Sequence, residues 1–215
     1  MYIFQPDRFL LRKQISQVAK YVKGGVLDAG AGEHSRYNDL FTYSSYIRMD
    51  VVAGNSVDVI GSADNIPFPD QKFDSVVCTQ VFEHLADPFT SAKEIARVLK
   101  TGGYLILTVP QMNELHEEPH DYFRYTKYGL TTLFENVGLK LVHMNARGGY
   151  WSLLTQLKIR YLTDLFNLYQ HPIVGWIASK VFYITGHFAF WLDSVDTSEA
   201  NRKHAIGWCA VFKKP

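Results

Sequence analysis

The run Val26-Leu27-Asp28-Ala29-Gly30 constrains this chain more than any other stretch. A short apolar strand ends on an acid and turns at once through two glycines, Gly30 and Gly32. Such strands occur where a sheet is covered on both faces. Four more runs have the same character: SYIRMDV (Ser45–Val51), VDVIGS (Val57–Ser62), FDSVVCT (Phe73–Thr79) and YLILTVP (Tyr104–Pro110). Between and around them lie stretches of helical spacing: residues 7–22, stopped by Lys23-Gly24-Gly25, then 88–99, then 127–137, closed by Gly138. Strands alternating with helices through short connections make βαβ units, so the expected fold is α/β with a parallel sheet. LKLVHMN (Leu139–Asn145) and HAIGWCAVF (His204–Phe212) add two later strands.

The chain of 215 residues suits one domain, 1–215, with 47% hydrophobic residues to fill a core. Its 22 basic and 21 acidic residues leave a charge of +1, which gives no electrostatic case for a nucleic-acid partner. Cys78 and Cys209 each sit in an apolar strand pattern and read as buried thiols of a reducing, cytoplasmic compartment. The N-terminal MYIFQPDRFLLRK lacks the apolar stretch and small-residue cleavage site of a secretory signal.

The glycine loop resembles the opening of a dinucleotide fingerprint, but the third glycine would fall at position 35, which is Ser35. Asp28, two residues before Gly30, repels a pyrophosphate and favours a ligand carrying an ammonium group. Asp50 closes the second strand, where a carboxylate takes both hydroxyls of an adenosine ribose; its bland alternative is a strand-end cap. A nicotinamide oxidoreductase is disfavoured by Asp28 and Ser35.

VLDAGAGEH (Val26–His34), MDV, GSADNIPFPDQKFDSVVCTQVFEHLADP, KEIARVLKTGGYLILTVP and PHDYFRYT together resemble class I S-adenosylmethionine-dependent methyltransferases of the small-molecule "methyltransferase 11" type. The likeness covers roughly residues 20–145, with LDSVD and the last strand extending it weakly. It implies a doubly wound seven-stranded sheet of order 3-2-1-4-5-7-6, last strand antiparallel, with a helical insertion before that strand. It implies S-adenosylmethionine as cofactor, with Asp28, Gly30 and Gly32 around the methionine part, Asp50 and Val51 at the ribose, Ser62, Ala63 and Asp64 along the adenine, and Thr79 and Gln80 closing the site. Many relatives carry Asp where this chain has Ser62, so the adenine contact departs from the pattern.

Methyl transfer from a sulfonium requires alignment, and a hydroxyl acceptor must also lose its proton. His84 and His120 lie just beyond strand ends, where open α/β sheets place ligands. His120, with Asp121, is read as base or acceptor contact, and Tyr122, Arg124 and Tyr125 as shaping the acceptor pocket within an acceptor-side loop, 112–126. The alternatives are a loop folded by internal hydrogen bonds and a helix-start His84 that caps or packs. Glu83-His84 also resembles the E-x-x-E-H metal site of some O-methyltransferases, but its first acid is replaced by Gln80, a poor Mg²⁺ ligand, and no metal is expected. The expected reaction is O-methylation of a small or carrier-linked, sugar- or lipid-like acceptor, because no Asn/Asp-Pro-Pro-Tyr amine signature appears. The rival is a cofactor-binding but inactive subunit, or a membrane-associated interaction module on the same fold.

Residues 150–192 form a helical, aromatic-rich insertion. Ile173, Trp176, Ile177, Val181, Ile184, Phe188 and Trp191 fall at helical spacing. Three readings stand: a core-facing or homodimer-facing helix, a lid, or a peripheral contact at the inner face of the membrane. A true span is disfavoured, since it would strand the last strand on the far side of the bilayer.

Overall fold

The strands form where the sequence concentrates β-branched and aliphatic side chains, and a computed structural model describes residues 2–33 and 36–215. His34, the end of the glycine loop, and Ser35, the position of the missing third glycine, lie outside the described residues, as does Met1. The strands are β1 (Gly25–Ala29), β2 (Ser45–Asp50), β3 (Val59–Ile60), β4 (Phe73–Thr79), β5 (Leu99–Pro110), β6 (Lys140–Arg147) and β7 (Gly207–Lys213). They make one seven-stranded sheet of order β3-β2-β1-β4-β5-β7-β6. The first five pair in parallel. β7 runs antiparallel to β5: Gly102 N–H donates to Lys214 O at one end and Gln111 N–H to Ile206 O at the other, each at 2.8 Å. The expected order and the antiparallel last strand are therefore both present.

The helices are α1 (Pro6–Val18), α2 (Pro88–Val98), α3 (Lys127–Glu135), α4 (Tyr150–Leu165), α5 (Pro172–Val195) and α6 (Glu199–Arg202). Packing divides the chain into two compact units. One comprises Gln14–Pro110, Leu115–Asn145 and Trp208–Pro215, and so holds most of the sheet. Its core is Val26 and Leu27 of β1, Val76 to Cys78 of β4 and Leu105 to Leu107 of β5, all at most 1% exposed. Strands so buried on both faces explain their unbroken apolar runs. Cys78 and Cys209 are both buried, as expected.

Local chemistry sets the element ends. Asp87 caps α2, accepting from Phe89 N and Thr90 N at 3.1 Å ahead of Pro88. Thr126 caps α3 through Gly129 N, and Gly138 at φ +85° ends the turn after it. Lys100-Thr101-Gly102-Gly103 reads in the sequence as a break between helix and strand, yet β5 already begins at Leu99. Its pairing with β4 slips between Phe73 and Ser75, so those four residues are a bulge inside the strand. The crossover from β1 to β2 holds only a 3-10 turn, Asn38–Leu40, among the described residues, so the alternation is thinner there than the sequence pattern suggests.

The second unit comprises the N-terminal residues through Lys13, Gln111–Glu114 and Ala146–Gly207. Ile3, Phe4, Ile159, Leu168 and Phe182 form its buried cluster. A carboxylate organises its helices: Asp193 on α5 accepts from Gly149 N and Ser152 N through Oδ2, at 2.9 and 3.1 Å, and from Trp151 N through Oδ1 at 3.1 Å. Asn201 Oδ1 takes the remaining early donor, Tyr150 N, at 2.7 Å. These are the orphan N–H groups of the α4 N-terminus, satisfied from outside the helix. Arg147, fully buried, pairs with Asp7 at 2.6 Å.

The seven apolar residues at helical spacing on α5 do not face this core. All are exposed, from 52% at Val181 to 77% at Ile173. The buried positions are Gly175, Phe182, Gly186 and Ala189; three of them are small, and at Gly186 the close approach requires it, since a Cβ there would lie 2.5 Å from Phe4 Cε1. The core-facing reading of that stripe is therefore corrected.

Asp193→Ala removes the acceptor for three N–H groups, and urea unfolding is expected to show a loss of about 1–2 kcal/mol. A loss of only a few tenths would assign the cap to Asn201 alone.

Candidate active site

Parallel pairing brings the carboxyl ends of β1, β2, β4 and β5 to one edge, where their loops converge. After β1 the chain turns through Gly30 at φ +85° and Gly32 at φ +66°, values that favour glycine. A Cβ at Gly30 would lie 2.3 Å from Val81 Cγ2, so this glycine also lets the loop pack on the chain beyond β4. Among the described residues nothing lies within 4 Å of a Cβ at Gly32. Asp28 is 6% exposed and accepts the Tyr46 hydroxyl at 2.8 Å. Asp50 Oδ2 accepts Gly32 N–H at 2.8 Å and Oδ1 accepts Val52 N–H at 3.1 Å. Each oxygen of an ionised carboxylate has capacity for more than one donor, so Asp50 can still take a diol.

The adenine-side expectations fall on one loop. Ser62 bridges to Asn65, Ala63 is buried and Asp64 exposed, while Val51 is largely exposed. What fixes that loop is an ion-pair fan within the KEIARVLKTGGYLILTVP stretch, to which the resemblance assigns no role. Arg97 on α2 donates to Ile66 O at 2.9 Å and Phe68 O at 2.7 Å, while Glu94 accepts Ile66 N–H at 3.0 Å and pairs with Arg97 at 2.7 Å. An acid and an arginine three apart on one helix are the only sequence signal for it. Thr79 ends β4, and Gln80 follows at φ +55°, donating to Thr108 Oγ1 at 3.2 Å.

The other expected residues gather around His84. Its Nδ1 lies 2.6 Å from His120 O. A carbonyl only accepts, so Nδ1 carries the hydrogen and, in the neutral ring, Nε2 holds the lone pair. That Nε2 stands 3.9 Å from Glu83 Oε1 and 3.8 Å from Glu117 Oε2. His116 packs edge-on against His84, with ring centroids 4.9 Å apart. Glu83, His84 and His116 bring donor atoms within 4.8 Å of one another, a set that a divalent ion could share; Gln80 is not part of it. His120 contributes its carbonyl to this arrangement, while its ring Nδ1 is 3.0 Å from the Tyr122 hydroxyl.

Asp121 does not stand free as a catalytic group. Arg124 grips it with a two-pronged fork at 2.6 Å per prong, and His116 N–H donates to it at 3.0 Å. Arg124 first, then these lesser contacts, bring its carboxyl down to about 2. Tyr125, expected at the acceptor pocket, is instead 8% exposed with its hydroxyl donating to Phe82 O at 3.0 Å, a structural role. Burial, then the Glu83 charge, push its phenol well up. Tyr122 is exposed and Arg124 faces Asp121, so of the three only Tyr122 presents its ring outward.

With this geometry in place, similarity to known proteins can be set beside it. Residues 27–107 match a family described as a methyltransferase domain. Over that stretch the chain is similar to S-adenosylmethionine-dependent methyltransferases. An uncharacterised protein of Methanocaldococcus jannaschii is 30% identical over 129 residues, 56% of this chain and 57% of that protein. The chain spans between 16% and 57% of the length of the first curated relatives it matches. Among solved structures, the Burkholderia thailandensis 1,6-didemethyltoxoflavin-N1-methyltransferase with bound 1,6-didemethyltoxoflavin and S-adenosylhomocysteine shares the fold. It gives a TM-score of 0.57 at 12% identity, covering 97% of this chain and 78% of that one. The [4+2]-cyclase SpnF does so at 0.59 and 18%, covering 95% and 81%. The residues present suit the methyltransferase cofactor: two acids offer acceptors to an ammonium and a diol, and would repel a pyrophosphate.

Holding the Asp121 carboxyl at about 2, below its ordinary 3.8, stabilises the folded chain. That contribution is whole above pH ~4 and is lost as the pH falls toward ~2, about 2 kcal/mol in all. Urea unfolding of Asp121→Asn over that interval is expected to vary less with pH than the parent chain; equal slopes would contradict it.

Proposed function

We propose that this chain uses S-adenosylmethionine to methylate an oxygen of a small or carrier-linked, sugar- or lipid-like acceptor, with His84 as the proton acceptor. The observation that carries this reading is the 2.6 Å contact between His84 Nδ1 and His120 O. It orients the ring and leaves Nε2 as the basic atom. When bound, S-adenosylmethionine supplies an electrophilic methyl on a sulfonium centre. Asp28 and the Gly30–Gly32 turn hold the amino-acid end of the donor, Asp50 the ribose, and the loop pinned by Glu94 and Arg97 borders the base. His84 Nε2 removes the acceptor hydroxyl proton as the oxygen–carbon bond forms and the carbon–sulfur bond breaks. Carboxyl oxygens of Glu83 and Glu117 each stand less than 4 Å from that nitrogen. Asp121, gripped by Arg124, positions the loop that carries His120 and Tyr122.

A second reading is a chain of this fold with another activity, since a [4+2]-cyclase shares the fold.

Calorimetric titration is expected to show binding of S-adenosylmethionine and S-adenosylhomocysteine, with Asp50→Ala weakening both by about ten- to a hundredfold. Tight NAD binding without either sulfur ligand would overturn the donor assignment.

Once a screen for S-adenosylhomocysteine release has identified an acceptor, His84→Ala is expected to lower kcat by about 10²- to 10⁴-fold. His120→Ala, which keeps the carbonyl, should cost far less. The base assignment fails if His84→Ala stays within a few fold of the parent chain, or if His120→Ala is the more damaging.

A further inference from the structure

Helix α5 is built with its polarity reversed. Toward its own unit it turns Gly175, Ser179, Gly186 and Ala189, with Phe182 the one large side chain buried among them and Ser179 Oγ accepting Phe4 N–H at 3.0 Å. Toward solvent it turns its largest apolar side chains. Globular helices do the opposite, burying the large residues. Small residues on the packed side and bulky ones outside are what a helix in contact with hydrocarbon shows. Its 24 residues are long and apolar enough to cross a bilayer, with a mean hydropathy of 1.2 over the most apolar stretch, yet only 22% of that stretch is buried. Crossing is excluded by topology. β6 precedes α4, β7 follows α5, and the two strands are neighbours in one sheet.

We propose that α5 docks this protein on an anionic lipid bilayer. The helix lies in the interfacial plane with Ile173, Ile177, Ile184, Phe188 and the two indoles Trp176 and Trp191 among the acyl chains. Charge selects the occupant. From Leu165 to Leu192 the chain has no Asp or Glu, and its one formal cation there, Lys180, is exposed beside the Trp176 ring at 5.6 Å. A second copy of the same face offers Lys180 no carboxylate, whereas an anionic headgroup pairs with it. The indole N–H groups of Trp176 and Trp191 reach toward the headgroup boundary while their rings stay among the acyl chains, so both parts are satisfied.

The test uses the full chain and vesicles of phosphatidylcholine, with and without phosphatidylglycerol. At low salt the protein is expected to float with the anionic vesicles and much less with phosphatidylcholine alone. The triple variant Ile177→Ser, Ile184→Ser, Phe188→Ser should stay in the soluble fraction while retaining the parent affinity for S-adenosylhomocysteine. That retained affinity reports folding and is independent of whether methyl transfer occurs. Should the triple variant fail to fold, quenching of tryptophan fluorescence in the parent chain by brominated acyl chains decides, and strong quenching is expected. The proposal is overturned if the parent chain stays soluble with both vesicle types, if the serine variant floats equally well, or if brominated lipid leaves the fluorescence unchanged. A lipid-free dimer in sedimentation that the serine substitutions dissolve would overturn it in favour of a second copy.

Discussion

The hydrogen bond from Gly32 N–H to the Asp50 carboxylate joins the two ends on which the proposed donor site rests. It ties the turn after β1 to the last residue of β2, so the backbone of the loop and an acid with spare acceptor capacity face the same space. That arrangement depends in turn on parallel pairing, because only parallel strands deliver both carboxyl ends to one edge. Asp28, held by Tyr46 beneath the turn, adds the charge that distinguishes this loop from a pyrophosphate cradle.

The acceptor side follows from a different device. The loop after β5 folds on itself through Arg124, Asp121 and His116, and this fold presents the His120 carbonyl to His84. A histidine with one nitrogen committed to a carbonyl has its tautomer settled and its other nitrogen basic. Residue types along the chain point to this loop but not to the contacts its members make. His120 contributes its backbone, Asp121 its grip on the loop, and Tyr125 a buried bond to Phe82 O.

Much of the fold is legible in the sequence because buried parallel strands leave unmistakable apolar runs, and Phe73–Thr79 matches its strand residue for residue. The Lys100–Gly103 bulge is not legible, because glycines that permit a bulge look the same as glycines that end a helix. The stripe on α5 misleads for a deeper reason. Helical periodicity says that large apolar residues share a face, not that the face points inward, and here Gly186 against Phe4 turns it outward. The Glu94–Arg97 fan leaves little trace because its partners are backbone groups some thirty positions away, which no side-chain pattern marks.

A crystal structure with S-adenosylhomocysteine bound tests the central claim most directly. The expected complex has the ribose hydroxyls on Asp50, the amino-acid end over Gly30–Gly32, and the sulfur directed toward the space between His84 and Tyr122. A ligand absent from that turn, or bound with its sulfur directed away from His84, would contradict the assignment of donor and base to this edge of the sheet.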